Sequence, residues 1–345
     1  MRAMVLRGKS LAIEDVEVPK PGPMQVLAKV LACGICGSDL HAAKYMEDMI
    51  AASRMSGSTS WDTEATQQNA GMVMGHEFVA EVVEAGPGAD QWAPGTRVTS
   101  IPVLIDTTSP TGFVAIGYST QYPGAYGEYV LMSGPTLLKV PDNVPNEVAA
   151  TTEPCAVGLH AVRQAEMRDG ETAVVMGAGP IGLMTLLWLK KEGVRHVTVS
   201  DFSGERRALA QQLGADMVVD PGATDLATAV TEATGKAAPV VFECVGVEGT
   251  LNQAMQLVDR AGRVVVVGVC MKEDRIFPMV GINKQLTLKF VLGYPPAEYA
   301  EALASLADGS INTRPMVTRL VNLDELPAAF EALADPKDCK VVLLP

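Results

Sequence analysis

Long hydrophobic runs are missing from this 345-residue sequence. The longest apolar stretches, such as residues 181–189, fall far short of the roughly 18 residues that a membrane span requires. The N-terminal segment alternates like a strand and a hairpin, and it lacks the apolar core and the cleavage site of an export signal. We therefore expect a cytoplasmic protein without a membrane span.

Basic charge is also scarce, because 27 Lys and Arg residues face 40 Asp and Glu residues and leave a formal net charge of −13. Such a surface repels phosphates, so nucleic acid and anionic membranes are poor partners. We expect a small-molecule partner instead.

Cysteine is used sparingly. The six cysteines are scattered along the chain, which argues against a disulfide framework and fits thiols or metal ligands in a reducing compartment. Cys33 and Cys36 form a C-x-x-C pair, which alone fits a redox pair or half of a structural zinc site. No second C-x-x-C follows and no thioredoxin-like pattern surrounds it, so both alternatives have little support.

The length exceeds what one compact core usually holds, so we expect two domains. Up to about residue 150, short β-branched stretches alternate with Gly and Pro, which is typical of an irregular, mainly β domain. Beyond that, apolar strands alternate with amphipathic helices and predict an α/β domain with a doubly wound parallel sheet. We predict one domain from residues 154–294 and another from residues 1–153 and 295–345.

Residues 42–74 stand apart, because they combine one possible helix with a stretch rich in Ser, Thr, Gln and Asn. A long ordered loop in an enzyme is often a lid or a binding loop. A surface insertion is an equally good interpretation.

A glycine-rich turn between the strand TAVVM and a helix predicts a dinucleotide site. In a G-x-G-x-x-G turn the first glycine permits the tight turn, the second lets pyrophosphate approach, and the third lets helix and strand pack closely. The helix N-terminus adds free N–H groups for the phosphates. The predicted cofactor-binding residues here are Gly177, Gly179, Pro180, Ile181 and Gly182.

Asp201 ends the next strand, where a carboxylate binds ribose hydroxyls and repels a 2′-phosphate. This favours NAD over NADP. Arg206 and Arg207 leave the NADP alternative open, since arginines near this strand end can bind a 2′-phosphate. Asp201 also has a purely structural interpretation as a cap of the following helix.

Cys36 follows one predicted strand of the first domain, and His76 precedes another. Glu77 is adjacent to His76. Sulfur, nitrogen and oxygen donors together suit zinc. A zinc site in the first domain is the resulting prediction.

The sequence resembles the zinc-containing medium-chain dehydrogenases, and among them the sorbitol and threonine dehydrogenase branch. The resemblance implies a discontinuous GroES-like catalytic domain, a Rossmann domain and an active site in the cleft between them. The matching motifs run along most of the chain: ACGICGSDLH (32–41), GHEFVAEVVEAG (75–86), PGAYGEYV (123–130), EPCAVGLHA (153–161), VMGAGPIGL (175–183) and FECVG (242–246).

The resemblance implies that Cys36 and His76 are zinc ligands and that Cys33 is not. Glu77 matches a glutamate that binds zinc directly in some members and lies behind it in others. Glu153 stands where the sorbitol branch has a glutamate that reaches zinc directly or through water. Cys155 is the rival donor, but it lies two residues out of register.

Many relatives bind a second, structural zinc through four closely spaced cysteines. Between residues 98 and 134 this sequence has no cysteine, so we expect one zinc only. The resemblance also implies a homodimer or a homotetramer.

For catalysis, Ser38 matches the hydroxyl that takes the substrate proton and His41 the group that passes it to solvent. Asp39 matches the carboxylate that orients the zinc-bound histidine, although it also suits helix capping. Weaker matches, all to backbone positions near the nicotinamide, are Val269, Gly293 and Tyr294.

The sequence therefore predicts a zinc-dependent enzyme that transfers a hydride between an alcohol or polyol and NAD, interconverting alcohol and ketone. The alternatives are a zinc-free quinone or enone reductase of the same superfamily and a noncatalytic NAD-binding protein. Polyols, amino alcohols and apolar or aromatic alcohols remain open as substrates.

Overall fold

The computed structural model describes residues 1–57, 70–109, 111–333, 335 and 337–345, and the chain divides into two compact units. Residues 1–153 and 317–345 form the first unit, and residues 154–316 form the second. The strands are β1 Arg2–Arg7, β2 Ser10–Asp15, β3 Gln25–Gly34, β4 Met72–Val73, β5 Glu77–Ala85, β6 Arg97–Ser100, β7 Val103–Ile105, β8 Phe113–Ala115, β9 Tyr129–Ser133, β10 Leu137–Lys139, β11 Thr172–Met176, β12 His196–Ser200, β13 Met217–Val219, β14 Val240–Glu243, β15 Arg263–Val266, β16 Thr287–Phe290, β17 Val317–Val321 and β18 Lys340–Leu343. The helices are α1 Gly37–Met55, α2 Asn146–Ala149, α3 Thr152–Gln164, α4 Pro180–Lys191, α5 Gly204–Gln212, α6 Leu226–Thr234, α7 Thr250–Leu257, α8 Pro278–Lys284, α9 Pro296–Ala307 and α10 Leu326–Ala332.

The first unit is mainly β, as the short Gly- and Pro-bounded stretches predict. Its largest sheet has the order β10-β6-β5-β3-β18-β17, and β9 also pairs with β3. The long strand β3 lies in the middle, and its alternate residues Val26, Ala28 and Val30 are buried in the core. A second sheet, β2-β1-β4, and the hairpin β7-β8 complete this unit.

The second unit contains a six-stranded sheet of order β13-β12-β11-β14-β15-β16, in which every pair is parallel. Its strands are short apolar runs with fully buried residues such as Val174, Val199 and Val241, because helices cover both faces of such sheets. The chain order reverses between β11 and β14, where sheets of this kind bind ligands. This topology confirms the predicted α/β class with a doubly wound sheet.

The second unit extends further than the predicted limit at residue 294, because α9 belongs to it. Tyr299 and Leu303 of α9 are buried, and Glu298 pairs with His160 of α3 at 2.9 Å. The apolar face of α9 is therefore covered inside the second unit, and the chain returns to the first unit only at Val317.

The segment 42–74 begins with the rest of α1, which is kinked at Tyr45 and has Ile50 buried in the first unit. Residues 58–69, which carry most of the predicted lid or surface insertion, lie outside the described residues. Within the described ranges, no helix is long and apolar enough to cross a membrane.

Candidate active site

Two loops that carry predicted metal ligands leave the same end of the large sheet. β3 ends at Gly34 and β5 begins at Glu77, and these two residues are paired in register. Cys36 follows β3 and is the N-cap of α1, whereas His76 directly precedes β5. Antiparallel pairing therefore brings Cys36 and His76 together from separate parts of the chain.

The Ser38 hydroxyl lies between these two side chains. Ser38 Oγ donates to Cys36 Sγ at 3.1 Å and lies 3.4 Å from His76 Nε2. The thiol sulfur and the imidazole nitrogen thus face one hydroxyl group in the first turn of α1.

Asp39 backs the histidine from the opposite side. Its Oδ1 lies 3.3 Å from His76 Nδ1, and its Oδ2 accepts a hydrogen bond of 2.5 Å from Tyr126. The His76 and Asp39 atoms are at ion-pair distance but are not aligned as a hydrogen bond, so both remain without a well-formed partner. The N–H of Cys36 also points at Asp39 Oδ2 at 3.4 Å, so Asp39 meets both the histidine and the start of α1.

The charges of this cluster shift two pKa values in opposite directions. Burial would raise the pKa of Asp39, but the charge of the nearby His76 and the hydrogen bond from Tyr126 lower it below its usual value. Burial would lower the pKa of His76, but Asp39 and Cys36 hold it well above its usual value. The buried imidazole therefore favours a positive charge between a carboxylate and a thiol.

This donor set fits a zinc ion. A divalent cation on His76 Nε2 would take the place of the ring proton there, while Nδ1–H stays directed at Asp39, which is how zinc-bound histidines are oriented. A thiolate at Cys36 is the soft second donor that zinc accepts.

The glycine-rich turn in the second unit requires its glycines. Gly177 has φ 92°, in the left-handed region. A Cβ on Gly182 would lie 1.9 Å from the carbonyl oxygen of Gly177, so a side chain is excluded there. Gly179 is the N-cap of α4 and Pro180 its first residue, so no side chain shields the N–H groups at this helix start.

Asp201 follows β12 and closes against this turn. Its Oδ2 accepts the N–H of Ala178 at 2.8 Å, and its Oδ1 accepts the N–H of Ser203 at 2.8 Å. Ser203, not Asp201, is the N-cap of α5, since its hydroxyl accepts the N–H of Arg206. The structural alternative for Asp201 is therefore corrected: the carboxylate ties the glycine turn to the loop that precedes α5.

Two family models match the chain: the alcohol dehydrogenase GroES-like domain over residues 22–142 and the zinc-binding dehydrogenase domain over residues 180–308. The (R,R)-butanediol dehydrogenase of Bacillus subtilis is 34% identical, over 97% of this chain and 96% of that protein. The sorbitol dehydrogenase of Ovis aries is 30% identical, over 99% and 95%. A zinc-binding dehydrogenase from Sinorhizobium meliloti, solved with NADP, has a TM-score of 0.86 at 29% identity, over 100% and 99%.

The chain belongs to the zinc-type, alcohol dehydrogenase-like family of medium-chain dehydrogenases. It is an oxidoreductase of CH–OH substrates, with a GroES-like first unit and a Rossmann-like second unit. The family uses zinc and a nicotinamide cofactor.

Glu77, a predicted zinc ligand, pairs with a buried lysine in the structure. Both oxygens of its carboxylate accept hydrogen bonds from Lys340 Nζ, at 2.8 and 2.7 Å, and both side chains are fully buried. Lys340 also donates to the carbonyl oxygen of Ile35 at 2.9 Å. Glu77 therefore forms a buried ion pair beside Cys36 and His76, and its direct binding of zinc stays a prediction.

Lys340 lies in the apolar strand β18, which pairs with the end of β3 next to Cys33 and Gly34. Sequence reasoning missed this lysine. The available signal was a single cation at the start of the otherwise apolar run KVVLLP, since buried lysines are almost always paired.

Glu153 and Cys155 lie in the first turns of α3, where they differ in exposure. Cys155 is fully buried and burial raises its pKa to about 12, so it remains a neutral thiol. Glu153 is partly exposed. Among the described residues, no three His, Cys, Asp or Glu side chains converge on one point, so the structure groups Cys36 with His76 but adds no third ligand.

His41 lies three residues after Ser38 on α1. It is partly buried, and its Nδ1 has no hydrogen-bond partner in the structure. Burial and the nearby charge of Lys44 lower the pKa of His41, so the ring is neutral near pH 7.

The nicotinamide-side predictions lie beyond the ends of two neighbouring strands in the second unit. Val269 follows β15 and is about half exposed, while a Cβ on Gly246 would lie 2.6 Å from its backbone nitrogen. Gly293 follows β16 with φ 64°, and Tyr294 stacks on Tyr299 with ring centroids 5.5 Å apart. The parallel strands bring these residues to the same sheet edge as the glycine turn.

Proposed function

We propose that this dehydrogenase oxidises secondary alcohols or polyols to ketones, and reduces the ketones, with one zinc ion and NAD. The observation that carries the proposal is the convergence of Cys36 and His76 on the Ser38 hydroxyl, with Asp39 behind the imidazole. A zinc-free reductase of the same superfamily does not require a thiol, an imidazole and an orienting carboxylate in this arrangement. A noncatalytic protein does not require the Ser38 hydroxyl between Cys36 and His76.

Zinc and NAD would supply chemistry that side chains lack, namely a Lewis acid that makes an alcohol more acidic and a hydride acceptor. Cys36 and His76 would hold the ion, with Glu153 as the proposed third protein ligand. Ser38 Oγ accepts the proton of the alcohol. His41, with its lowered pKa, takes the proton onward to solvent.

The proposal includes a single zinc ion. In the segment where many relatives bind a structural zinc, this chain has no cysteine and relies on apolar packing. Leu104 in β7 and Ile116, directly after β8, are fully buried there. Such packing replaces the folding contribution that a structural zinc makes elsewhere.

Two observations favour NAD over NADP: the position of Asp201, and the contacts of Arg207 with neighbouring protein groups. The Arg207 guanidinium donates to the backbone oxygens of Asp201 and Phe202 and pairs with Asp220 at 3.0 Å, so it is not directed at a cofactor. Arg206 keeps the NADP alternative in view, because its Nε is buried without a hydrogen-bond partner. The NADP in the Sinorhizobium meliloti relative makes this a question for measurement.

For the substrate we propose a small diol or polyol. The relatives named for butanediol and sorbitol both act on alcohols with neighbouring hydroxyls, and both align with nearly the whole chain. No described contact selects among such alcohols.

We also propose a cytoplasmic homodimer or homotetramer. All six cysteines are free thiols, which a reducing compartment maintains.

The argument for an oligomer comes from the second unit. β16 is the last strand of the parallel sheet, and large apolar side chains near it are exposed: Phe277, Met279, Ile282, Phe290 and Leu292. A sheet edge with such a surface suits pairing with a second copy, and a monomeric mass by light scattering would contradict this.

The deciding experiment combines zinc analysis with NADH formation across a panel of diols, polyols, hydroxy amino acids and aliphatic, aromatic and terpenoid alcohols. We expect one zinc per chain and NAD-dependent turnover of at least one diol or polyol. Glu153→Ala should lower zinc retention, whereas Cys155→Ala should not. Less than half an equivalent of zinc, with no activity restored by added zinc, would exclude the proposed function.

A further inference from the structure

One tyrosine of the first unit contacts the cluster without belonging to any predicted motif. Tyr118 lies between β8 and β9, and its hydroxyl donates to Ser38 Oγ at 2.7 Å. Its ring lies over the imidazole of His76, with centroids 5.2 Å apart and planes inclined by 36°. Tyr118 therefore contacts the predicted proton acceptor and a zinc ligand at once.

The backbone holds Tyr118 in this place. The preceding residue, Gly117, has φ 88°, and a Cβ there would lie 2.9 Å from the carbonyl oxygen of Gly75. Gly75 itself has φ 95° and leaves no room for a side chain beside Tyr126. The loop of Tyr118 thus packs directly on the backbone of the loop that ends in His76.

The hydrogen bonds of Ser38 determine what Tyr118 does. A serine hydroxyl has one hydrogen and two lone pairs. The hydrogen points at Cys36 Sγ, and Tyr118 donates into one lone pair. His76 Nε2 lies 3.4 Å from Ser38 Oγ and faces the other lone pair. A ring nitrogen that binds a metal donates no hydrogen, so in the zinc-loaded enzyme this second lone pair would be open to an alcohol proton.

Tyr118 is suited to the donor role. Its hydroxyl oxygen lies 2.7 Å from Ser38 Oγ, and the hydrogen of Ser38 points at Cys36 Sγ, so the hydrogen between the two hydroxyls is that of the phenol. A hydroxyl that accepts one hydrogen bond is also a stronger donor in the next, because hydrogen-bonded chains polarise one another.

We propose that Tyr118 is a positioning residue of this dehydrogenase: its hydroxyl fixes the rotation of the Ser38 hydroxyl, and its ring covers one face of His76. The inference rests on the proposed function, in which Ser38 accepts the proton of the alcohol. Tyr118 acts through Ser38 and does not itself take part in the proton transfer.

The kinetic test is a double-mutant cycle of Tyr118→Phe and Ser38→Ala in the zinc-loaded enzyme. Tyr118→Phe should lower kcat about 10-fold and change KM less than about twofold, because the loss of one hydrogen bond acts in the transition state. Ser38→Ala should lower kcat more, by about 100-fold. The double variant should be no slower than Ser38→Ala alone, since the tyrosine then has nothing to position.

Tyr122→Phe is the matched control. Tyr122 lies in the same loop region, and its hydroxyl reaches Asp106 at 3.3 Å, away from Ser38. This variant should keep kcat within about twofold of the parent. Independent, multiplying losses from Tyr118→Phe and Ser38→Ala would overturn the proposal, as would equal rates for the two phenylalanine variants.

A second arm uses metal-free protein and does not depend on turnover. The rate at which iodoacetamide alkylates Cys36 is followed by mass spectrometry of the labelled peptide. Ser38→Ala removes a hydrogen bond that stabilises the Cys36 thiolate, which is the reacting species, and should slow the reaction several-fold near neutral pH. Tyr118→Phe should slow it to a smaller extent, with no further loss in the double variant. An unchanged rate in Tyr118→Phe would overturn the proposal.

The two arms separate the two proposals. If the parent protein oxidises no alcohol, the proposed function fails, whereas the alkylation rates still show whether Tyr118 sets the Ser38 hydroxyl. If alcohols are oxidised and neither arm responds to Tyr118→Phe, only the positioning role fails.

Discussion

The two predicted sites of this dehydrogenase are built in different ways. The glycine turn of the second unit lies within one strand–turn–helix segment, and its shape depends mainly on the backbone at Gly177 and Gly182, with one hydrogen bond from Ala178 N–H to Asp201. The zinc site of the first unit gathers Cys36, His76 and their supports from five separate segments, and its shape is set by hydrogen bonds between side chains.

The two sites should respond differently to substitution. A site formed by the backbone loses its shape when a side chain is added where none fits, as at Gly182. A side-chain site fails when one partner of a buried polar group is removed, because the remaining partner keeps its desolvation cost. The predictions below test whether the zinc site depends on its distant partners to this degree.

The largest effect is expected at Cys36. Cys36→Ser should lose zinc and lower kcat by a factor of about 1,000 or more, because a hydroxyl replaces the soft donor. Cys33→Ser is the matched control: Cys33 is fully buried at the end of β3, and burial raises its pKa well above the usual value, so it stays a thiol. Zinc content and turnover are the measurements, and equal losses in both variants would restore the paired-cysteine site.

The two sites also differ in how far the sequence predicts them. The glycine turn is predictable from its local pattern, since Gly177 has a positive φ and Gly182 leaves no room for a side chain, while Gly179 lies at the open start of α4. Cys36, Ser38, Asp39 and His76 are predicted because motifs place them near strand ends.

Tyr118, Tyr126 and Lys340 are not predicted, because each meets the site only through sheet pairing or loop packing between distant segments. The same kind of long-range contact gives Glu77 a partner that its motif does not predict. Its position beside His76 suggests a metal ligand, and the pairing of β18 with β3 also brings Lys340 to its carboxylate. The second unit extends past the predicted limit at residue 294 for a related reason: α9 is partly buried, and its Glu298 pairs with the distant His160 of α3.

A large loss of stability is expected at Lys340. Lys340→Met leaves the buried carboxylate of Glu77 without its cation and should lower the free energy of unfolding by about 3–5 kcal/mol in urea titrations. Adding Glu77→Gln should recover part of this, because the unpaired charge is removed. Lys337→Met is the control, since the exposed pair of Lys337 with Asp335 at 3.1 Å should change stability by less than about 1 kcal/mol. Equal stability of Lys340→Met and Lys337→Met would show that the buried pair has no structural role.

A smaller effect, on cofactor choice, is expected in the second unit. Asp201→Asn keeps the size of the side chain but removes its charge, so the ratio of kcat/KM with NADP to that with NAD should rise about 10-fold. Asp216→Asn is the control, because Asp216 pairs with Lys190 at 2.9 Å at the neighbouring strand. A parent enzyme that already prefers NADP would contradict the assignment of Asp201.

The smallest effect returns to the first unit and concerns pH. Burial and Lys44 lower the pKa of His41, so a proton relay through the neutral ring is active above that pKa and fails as the pH falls through it. The midpoint pH of the acid limb of the kcat profile should therefore lie below the ordinary pKa of a histidine.

Lys44→Gln tests this assignment. It removes a like charge, which raises the pKa of His41 and should move the acid limb to higher pH, with kcat at alkaline pH unchanged. Lys9→Gln, on the far end of the β1-β2 hairpin, provides the comparison. If the acid limb of the kcat profile has the same midpoint pH in Lys44→Gln as in Lys9→Gln, the onward proton transfer does not use His41. The relay would then end at Ser38, where the side-chain network of the zinc site already supplies the acceptor.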